Sequence, residues 1–289
     1  MSIMKPFRSV ALACTALLAL TSLAQATTFN SFGTVSGSNT SYTGGERDTW
    51  SVDPIPPSPT WLFGNPVITS GNNLSFTPNT ALTTKPLNFS VVSSGEKFED
   101  GDLSVQISAT NPTTGNIALM SLSENGDYML QNATAASSAA AILNIAGLVI
   151  TQVDGGATAI PANGIPVSFT EAFANASGNG TPTISPNSIV YTGNGLLSSG
   201  IWTGSANFNI AGALAGAGLA GHRVTGLELD LDNILSVNAE PNAVVSMDKK
   251  SFIITTGGFV PEPSSIIMGI LGGLGLATAA FRKKFAKTA

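Results

Sequence analysis

Along much of the chain, apolar and polar residues alternate one for one. Leu103, Val105 and Ile107 are interleaved with Ser104, Gln106 and Ser108, and Leu227, Leu229 and Leu231 with Glu228, Asp230 and Asp232. A period of two puts the apolar side chains of a segment on one face, which is the pattern of a half-buried strand. Shorter runs of the same kind predict strands at 67–69, 74–77, 87–92, 148–153, 188–192 and 201–210, and a last pair at 243–247 and 252–256. Turn chemistry separates them. Asn111-Pro112-Thr113-Thr114-Gly115 turns the chain into 117–122, and Asn125-Gly126 predicts a tight hairpin turn before 128–130. Prolines 54, 56, 57 and 59 exclude a sheet ladder there and predict an irregular loop.

Two segments depart from the pattern. Residues 133–145 are alanine-rich and predict a short helix, and 210–221, rich in Ala and Gly, predicts one helical turn or a crossing loop. No internal repeat, sustained heptad or second-domain boundary is visible. Many short strands joined by Pro, Gly and Asn turns predict an all-β fold, an antiparallel β-sandwich of jelly-roll-like form over residues 27–258.

Composition narrows the function classes. The 289 residues carry 12 Lys+Arg against 17 Asp+Glu, with one His and one Cys, for a net charge of −5. A phosphate-neutralising surface is therefore excluded, and nucleic acid with it. One Cys, Cys14, excludes a disulfide framework and any multi-cysteine zinc or iron–sulfur site.

The ends are informative. Lys5 and Arg8 precede an apolar stretch from Val10 to Leu23, followed by Ala24-Gln25-Ala26. This reads as a secretory signal peptide over 1–26, with Ala24 and Ala26 as the small residues of the cleavage site and Thr27 as the mature N-terminus. Removal of the signal takes the one cysteine with it, so the exported chain has no disulfide to rely on. Between 27 and 260 it keeps six basic residues and sixteen acids, about −10, an acidic and sparsely charged surface suited to solubility.

At the other end, 264–281 is an uncharged stretch of apolar and small residues, about 27 Å long as a helix and so close to the hydrocarbon thickness. Arg282, Lys283, Lys284 and Lys287 follow and mark the cytoplasmic side of a transmembrane helix. Directly before it stands Pro261-Glu262-Pro263, whose prolines stop the helix from extending outward. Pro-Glu-Pro, an apolar span and a terminal basic cluster, in that order over 260–287, resemble the PEP-CTERM sorting signal of exported bacterial proteins. The resemblance implies recognition of Pro261, Glu262 and Pro263 by a membrane-embedded exosortase, with Arg282 opening the basic stop. It also implies a setting of exopolysaccharide or biofilm. The chain thus reads as signal peptide, ectodomain (27–258) and sorting tail (259–289), exported across the inner membrane, transiently anchored, then at the cell surface or outside it.

Chemistry in the ectodomain is sparse. His222, the lone histidine, lies in Gly221-His222-Arg223 and reads as a solvated loop residue; no Gly-x-Ser-x-Gly elbow accompanies it. Glu96, Glu99, Asp100 and Asp102 crowd before one strand, and Glu228, Asp230 and Asp232 project from another. Hard oxygen ligands in these numbers suit Ca²⁺, yet no twelve-residue calcium loop is present, so a solvated acidic face is the leading reading and no cofactor is expected. The same acids are too loosely patterned to name a glycosidase pair. Trp50, Trp61 and Trp202, with Tyr42, Tyr128 and Tyr191, read as core rather than as a sugar-stacking platform. The sequence therefore predicts a non-enzymatic structural or adhesive surface protein. A displayed carbohydrate- or calcium-binding module is the second reading, with extracellular polysaccharide as its candidate ligand, and a polysaccharide-active hydrolase is the third.

Overall fold

The computed structural model describes residues 25–26, 29–50, 62–77, 88–90 and 95–258. The expected signal peptide up to Ala24, the proline-rich stretch at 53–59 and the stretch expected to be a sorting tail, 259–289, lie outside the described residues. So does Trp61. Among the described residues, sixteen strands and one α-helix follow in chain order, with a short 3-10 helix at Asp154–Gly156. They are β1 (Gln25–Ala26), β2 (Asn30–Ser36), β3 (Thr40–Trp50), β4 (Asn65–Thr69), β5 (Asn73–Thr77), β6 (Asn88–Ser90), β7 (Gly95–Ala109), β8 (Leu119–Gln131), β9 (Ser138–Val153), β10 (Ile165–Pro166), β11 (Phe169–Gly178), β12 (Pro182–Ser185), β13 (Ser188–Thr192), β14 (Ser198–Phe208), α1 (Ile210–Gly216), β15 (Val224–Ala239) and β16 (Val244–Gly257).

All described pairings are antiparallel. One sheet runs β1-β3-β7-β15-β9-β13-β12, with β2 beside β3 and β10 beside β9; the other runs β11-β14-β8-β16-β5-β4, with β6 beside β16. The expected all-β architecture of two antiparallel sheets is thus present, and one continuous apolar core lies between them. The two long central strands, β15 and β16, are consecutive in the chain but belong to different sheets. A short turn at 240–243, with Asn242 in the left-handed region (φ 68°), carries the chain from one layer to the other.

The alternation read from the sequence sets which side chains face inward. On β7, Leu103, Val105 and Ile107 are buried, and on β15, Leu227, Leu229 and Leu231; each fully buried side chain of this size contributes about 1.5–3 kcal/mol. At one end of the sandwich Phe63, Phe76 and Phe252 pack edge to face, with centroids 4.9–5.8 Å apart. At another site the rings of Tyr128 and Tyr191 stack 3.5 Å apart.

Three expectations are corrected. The alanine-rich stretch at 133–145 is not a helix: from Ser138 it is the first half of β9, with Ala139 and Ala141 fully buried. Flanked by β13 and β15, these alanines face the core, where small side chains fit, and tertiary pairing overrides helix propensity. Asn125-Gly126 is not a hairpin turn but the middle of β8, paired with β14 on one side and β16 on the other. Glycine is required there because the ring of Trp202 and the carbonyl of Asp248 press against it: a Cβ at Gly126 would sit 1.7 Å from that oxygen and 2.7 Å from the indole. The expected strand pair at 243–256 is a single strand, β16, whose register against β8 shifts between Lys249 and Ser251. Lys249 faces inward in phase with Val245 and Met247, and the bulge that follows brings Phe252 and Ile254 to the same face. The 210–221 segment holds α1, capped by Asn209, whose side chain accepts from Gly212 N at 2.9 Å, and anchored in the core by Ile210 and Leu214.

Gly126→Ala tests the close approach of β8 to Trp202. The clash is with backbone, so relief needs a strand shift, and the cost expected of such overpacking is about 1–3 kcal/mol, a fall of roughly 2–12 °C in melting temperature. A variant melting with the parent would mean that Gly126 does not lie beneath the indole.

Candidate functional site

The outer face of the first sheet carries the acids singled out in the sequence. β7 and β15 bury their odd-numbered residues, so the even-numbered ones project outward. Register then aligns Arg47 of β3, Asp102 of β7, Asp232 of β15 and Asn144 of β9 in one row across four strands. Asp100 stands next along β7, and the carboxylate oxygens of Asp100, Asp102 and Asp232 lie within 4.8 Å of one another. Like charges directly opposite on paired strands repel. Burial above all, then the charge of Asp232, pushes the Asp102 carboxyl above its ordinary value, while Arg47 opposes the rise. Asp232 Oδ2 accepts from Asn144 Nδ2 at 3.5 Å; its Oδ1 is buried without a hydrogen-bond partner among the described residues. A groove of about 290 Å³ passes over the row, lined also by Phe29, Asp230 and Ala146, the last at the point where the register of β9 slips against β15.

This cluster holds three of the seven acids read from the sequence as candidate oxygen ligands. Asp230 lines the groove but stands outside the group of three, and Glu228 lies further along β15, opposite Gln106 and Val149. Glu99 is excluded by parity: it is an odd-numbered residue of β7 and is buried between the sheets, on the opposite face from Asp100 and Asp102. Three carboxylates with water could fill the six to eight oxygen positions Ca²⁺ takes, but Arg47 competes for the same charge, so the arrangement suits weak binding of a divalent cation.

His222 is 41% exposed, as a loop residue, but it is not isolated. Its Nδ1 lies 2.6 Å from Asp154 Oδ2, which also accepts from Thr158 Oγ1 at 2.7 Å, while Asp154 Oδ1 accepts from the backbone N of Arg223 at 3.1 Å. These bonds, His222 foremost, hold the Asp154 carboxyl well below the usual carboxylate range. They also fix Asp154 at φ 49°, a left-handed conformation that aspartate tolerates. The neighbouring groove, about 260 Å³, is lined by His222, Asn116, Ile210, Leu214 and small residues, alanines and a glycine. Thr158 approaches His222 on the Nδ1 side already taken by Asp154, so an acid–base–nucleophile relay is not assembled.

The residues that sequence reasoning missed lie inside. Lys249 of β16 is buried with Glu124 of β8 and Asn233 of β15, and Glu46 and Glu99 share the same interior. Lys249 Nζ is 3.0 Å from Glu124 Oε2, with the two side chains 2% and 1% exposed, and Asn233 Nδ2 donates to the same oxygen at 2.6 Å. The ammonium also stands over the rings of Phe63 and Phe252, 4.2 and 4.6 Å from their centroids. Burial drives the Lys249 ammonium below its ordinary value, against the pull of Glu124, Glu46 and Glu99. Glu171 of β11 is half-buried nearby, its carboxyl raised by burial and, to a smaller extent, by the charge of Glu124. The one available signal was that Glu124 and Lys249 fall in phase with buried residues of their strands, Lys249 with Val245 and Met247, before the bulge breaks the period.

Of the aromatics, Trp202 is fully buried, its Nε1 donating to the Asp248 carbonyl at 3.1 Å, and Tyr42, Tyr128 and Tyr191 are buried too. Ala26 closes β1, paired with Thr49; Ala24 and the residues expected to form the sorting motif, Pro261, Glu262, Pro263 and Arg282, lie outside the described residues. Among the described residues no helix is long and apolar enough to cross a membrane. No protein-family model and no curated protein matches the chain. Among solved structures, a family 11 xylanase from Neocallimastix patriciarum is similar at 12% identity, over 81% of this chain and all of that one, with a TM-score of 0.19. A mutant of ENZbleach xylanase matches at 9% identity over 77% of this chain and 90% of that one, with a TM-score of 0.17.

Asp154→Asn is expected to lower stability at neutral pH by about 1 kcal/mol, or roughly 2–4 °C, through loss of a charged acceptor. Because the folded-state carboxyl is depressed, the stability it adds is complete well above the unfolded value of about 3.9 and is lost as pH falls through that value toward the folded one. Melting curves of parent and variant should therefore converge on acidification. A constant gap from pH 7 down to pH 2 would mean that the Asp154 charge is not what holds this junction.

Proposed function

We propose that this chain is an exported, non-enzymatic structural or adhesive protein, a jelly-roll-like sandwich carried between a cleaved signal peptide and a C-terminal transmembrane sorting tail. The observation that carries the reading is the tail: Pro261-Glu262-Pro263, the uncharged span 264–281 and the basic cluster from Arg282 stand in that order, four residues after β16 ends at Gly257. An exosortase and the export machinery are the partners this order implies, and the cell surface or extracellular matrix is the destination. Two features support a non-enzymatic reading. Glu124, whose charge helps raise the Glu171 carboxyl, is held by Lys249 and is 1% exposed, out of reach of a polysaccharide. His222 is committed through Nδ1 to Asp154, beside a groove whose lining is mostly apolar.

The test separates a read signal from a plain anchor. Glu262→Gln keeps the span, so an anchor alone would leave fold and location unchanged. With an exosortase reading the motif, the variant is expected to accumulate at full length in the inner membrane, while the parent loses its tail, as followed by fractionation and tail-specific detection. Normal maturation of Glu262→Gln and of a Pro261/Pro263 double variant would reduce the tail to an anchor.

A second reading, a displayed calcium-binding module, is favoured by one observation, the convergence of Asp100, Asp102 and Asp232 on the exposed sheet face. Saturating Ca²⁺ at about a hundred times Kd would stabilise the fold by about 2.7 kcal/mol, or roughly 5–11 °C. If the acids only form a solvated face, melts in EDTA and in millimolar Ca²⁺ coincide. A calcium-dependent rise that Asp232→Asn abolishes would move the assignment to the binding module.

A further inference from the structure

The interior cluster has a chemistry that an ion pair does not explain. Buried polar groups are ordinarily hydrogen-bonded, and each exception asks for a reason. Six buried side-chain atoms lack a hydrogen-bond partner among the described residues, and three of them, Lys249 Nζ, Glu124 Oε1 and Asn233 Oδ1, belong to this one contact. The 3.0 Å approach of Lys249 to Glu124 is close enough for charge attraction but is not aligned for a hydrogen bond. The lysine thus gives up water for two phenyl faces, the adjacent Glu124 carboxylate and the longer-range pull of Glu46 and Glu99. A buried salt bridge of this quality is a weak source of stability.

We infer that Lys249 and Asn233 are joined by an intramolecular isopeptide bond, formed inside the folded sandwich with Glu124 as the proton carrier. The amine and the carboxamide are gathered on one oxygen, Glu124 Oε2, at 3.0 and 2.6 Å. Glu124 first takes a proton from the Lys249 ammonium. The free amine then attacks Asn233 Cγ; the new Nζ–Cγ bond forms, the Cγ–Nδ2 bond breaks, and Nδ2 leaves with the protons given up by the lysine, as ammonium. The carboxylate is regenerated, and the step uses no oxidant, metal or co-reactant. Three features favour it. Water, the competing nucleophile, is excluded by the Phe63 and Phe252 rings and by near-complete burial of all three residues. Burial also shifts the lysine toward the neutral amine that attacks. Gly204 leaves room at the carboxylate, since a Cβ there would lie 2.7 Å from Glu124 Oε1. The product replaces a buried charge and an unpaired carboxamide with a neutral amide, and it ties β15 of one sheet to β16 of the other. A chain whose one cysteine leaves with the signal peptide thereby acquires a covalent bridge by another route, whether or not the tail is read by an exosortase.

The test is the mass of the purified protein's peptides. With the bond in place, trypsin does not cut after Lys249, and the peptide 224–250 is lighter than its sequence mass by about 17 Da, one ammonia. Further digestion before aspartates leaves 232–247 joined to 248–250 as one branched species. Glu124→Gln is expected to retain the ammonia and be cut after Lys249. Losing the bridge, it should melt lower by about 6–12 °C, the scale expected for opening a loop of this length by analogy with a disulfide. The parent's own mass decides the matter even where the variant does not fold. Cleavage after Lys249 at full mass, a loss of ammonia with no branched species, or a loss of water joining Lys249 to a glutamate would each overturn the assignment.

Discussion

A lysine ammonium placed between two β-sheets constrains everything packed around it. Removing such a charge from water costs several kcal/mol, so its surroundings must return that energy or change its chemistry. Around Lys249 they do so with Glu124 from its own sheet, Asn233 from the facing sheet and two aromatic faces. Each contact comes from a different segment, and each sets a local requirement. Alternation along β16 turns Lys249 inward and the bulge after it brings Phe252 to the same face, Gly204 clears space beside Glu124, and Phe63 is held by its backbone N–H donating to Glu46 Oε1 at 3.1 Å. The edge-to-face phenyl cluster then continues this wall into the apolar core. Breaking the pair by removing one partner should cost far more than replacing both with apolar groups of the same shape, because only the first leaves a buried charge uncompensated.

The fold was legible in the sequence wherever one face of a strand is wet. The Leu103–Ile107 and Leu227–Leu231 alternations named the two strands that pair at the centre of the first sheet, and 188–192 is β13 to the residue. Legibility failed where both neighbours of a residue lie in the fold rather than in the chain. Ala139 and Ala141 look like helix formers because alanine's propensity is local, whereas the need for a small side chain between β13 and β15 is not. Asn125-Gly126 has the composition of a turn, yet the glycine answers to Trp202, seventy-six positions away. A single strand with a bulge at Lys249 likewise reads as two strands, since one extra residue breaks the period of two.

The same reasoning explains the candidate sites. Asp100, Asp102 and Asp232 could be proposed together because the acids were dense, but only the register of β7 against β15 puts Asp102 opposite Asp232. Glu99 belonged to the same dense run and fell on the other face. No density marked the interior group: its members are separated by up to 125 positions and look, one at a time, like ordinary surface residues. Burial of a glutamate or lysine is visible only as a phase within a strand, a weak signal for a single charged residue.

Parity along β15 and β7 therefore divides this protein's chemistry in two. Asp230 and Asp232 face solvent, where water and counterions screen their repulsion and a cation can come and go. Asn233, one residue on, faces an interior without that screening, and there the same kinds of polar groups must pair or react. A carboxamide on the outer face beside a lysine would be an unremarkable surface contact, held by a few tenths of a kcal/mol and hydrated throughout. Moved by one position, it is shut in with a buried amine and a carboxylate able to pass the proton between them. The outer row is consequently the place to look for reversible binding, and the inner cluster for a permanent change in covalent structure.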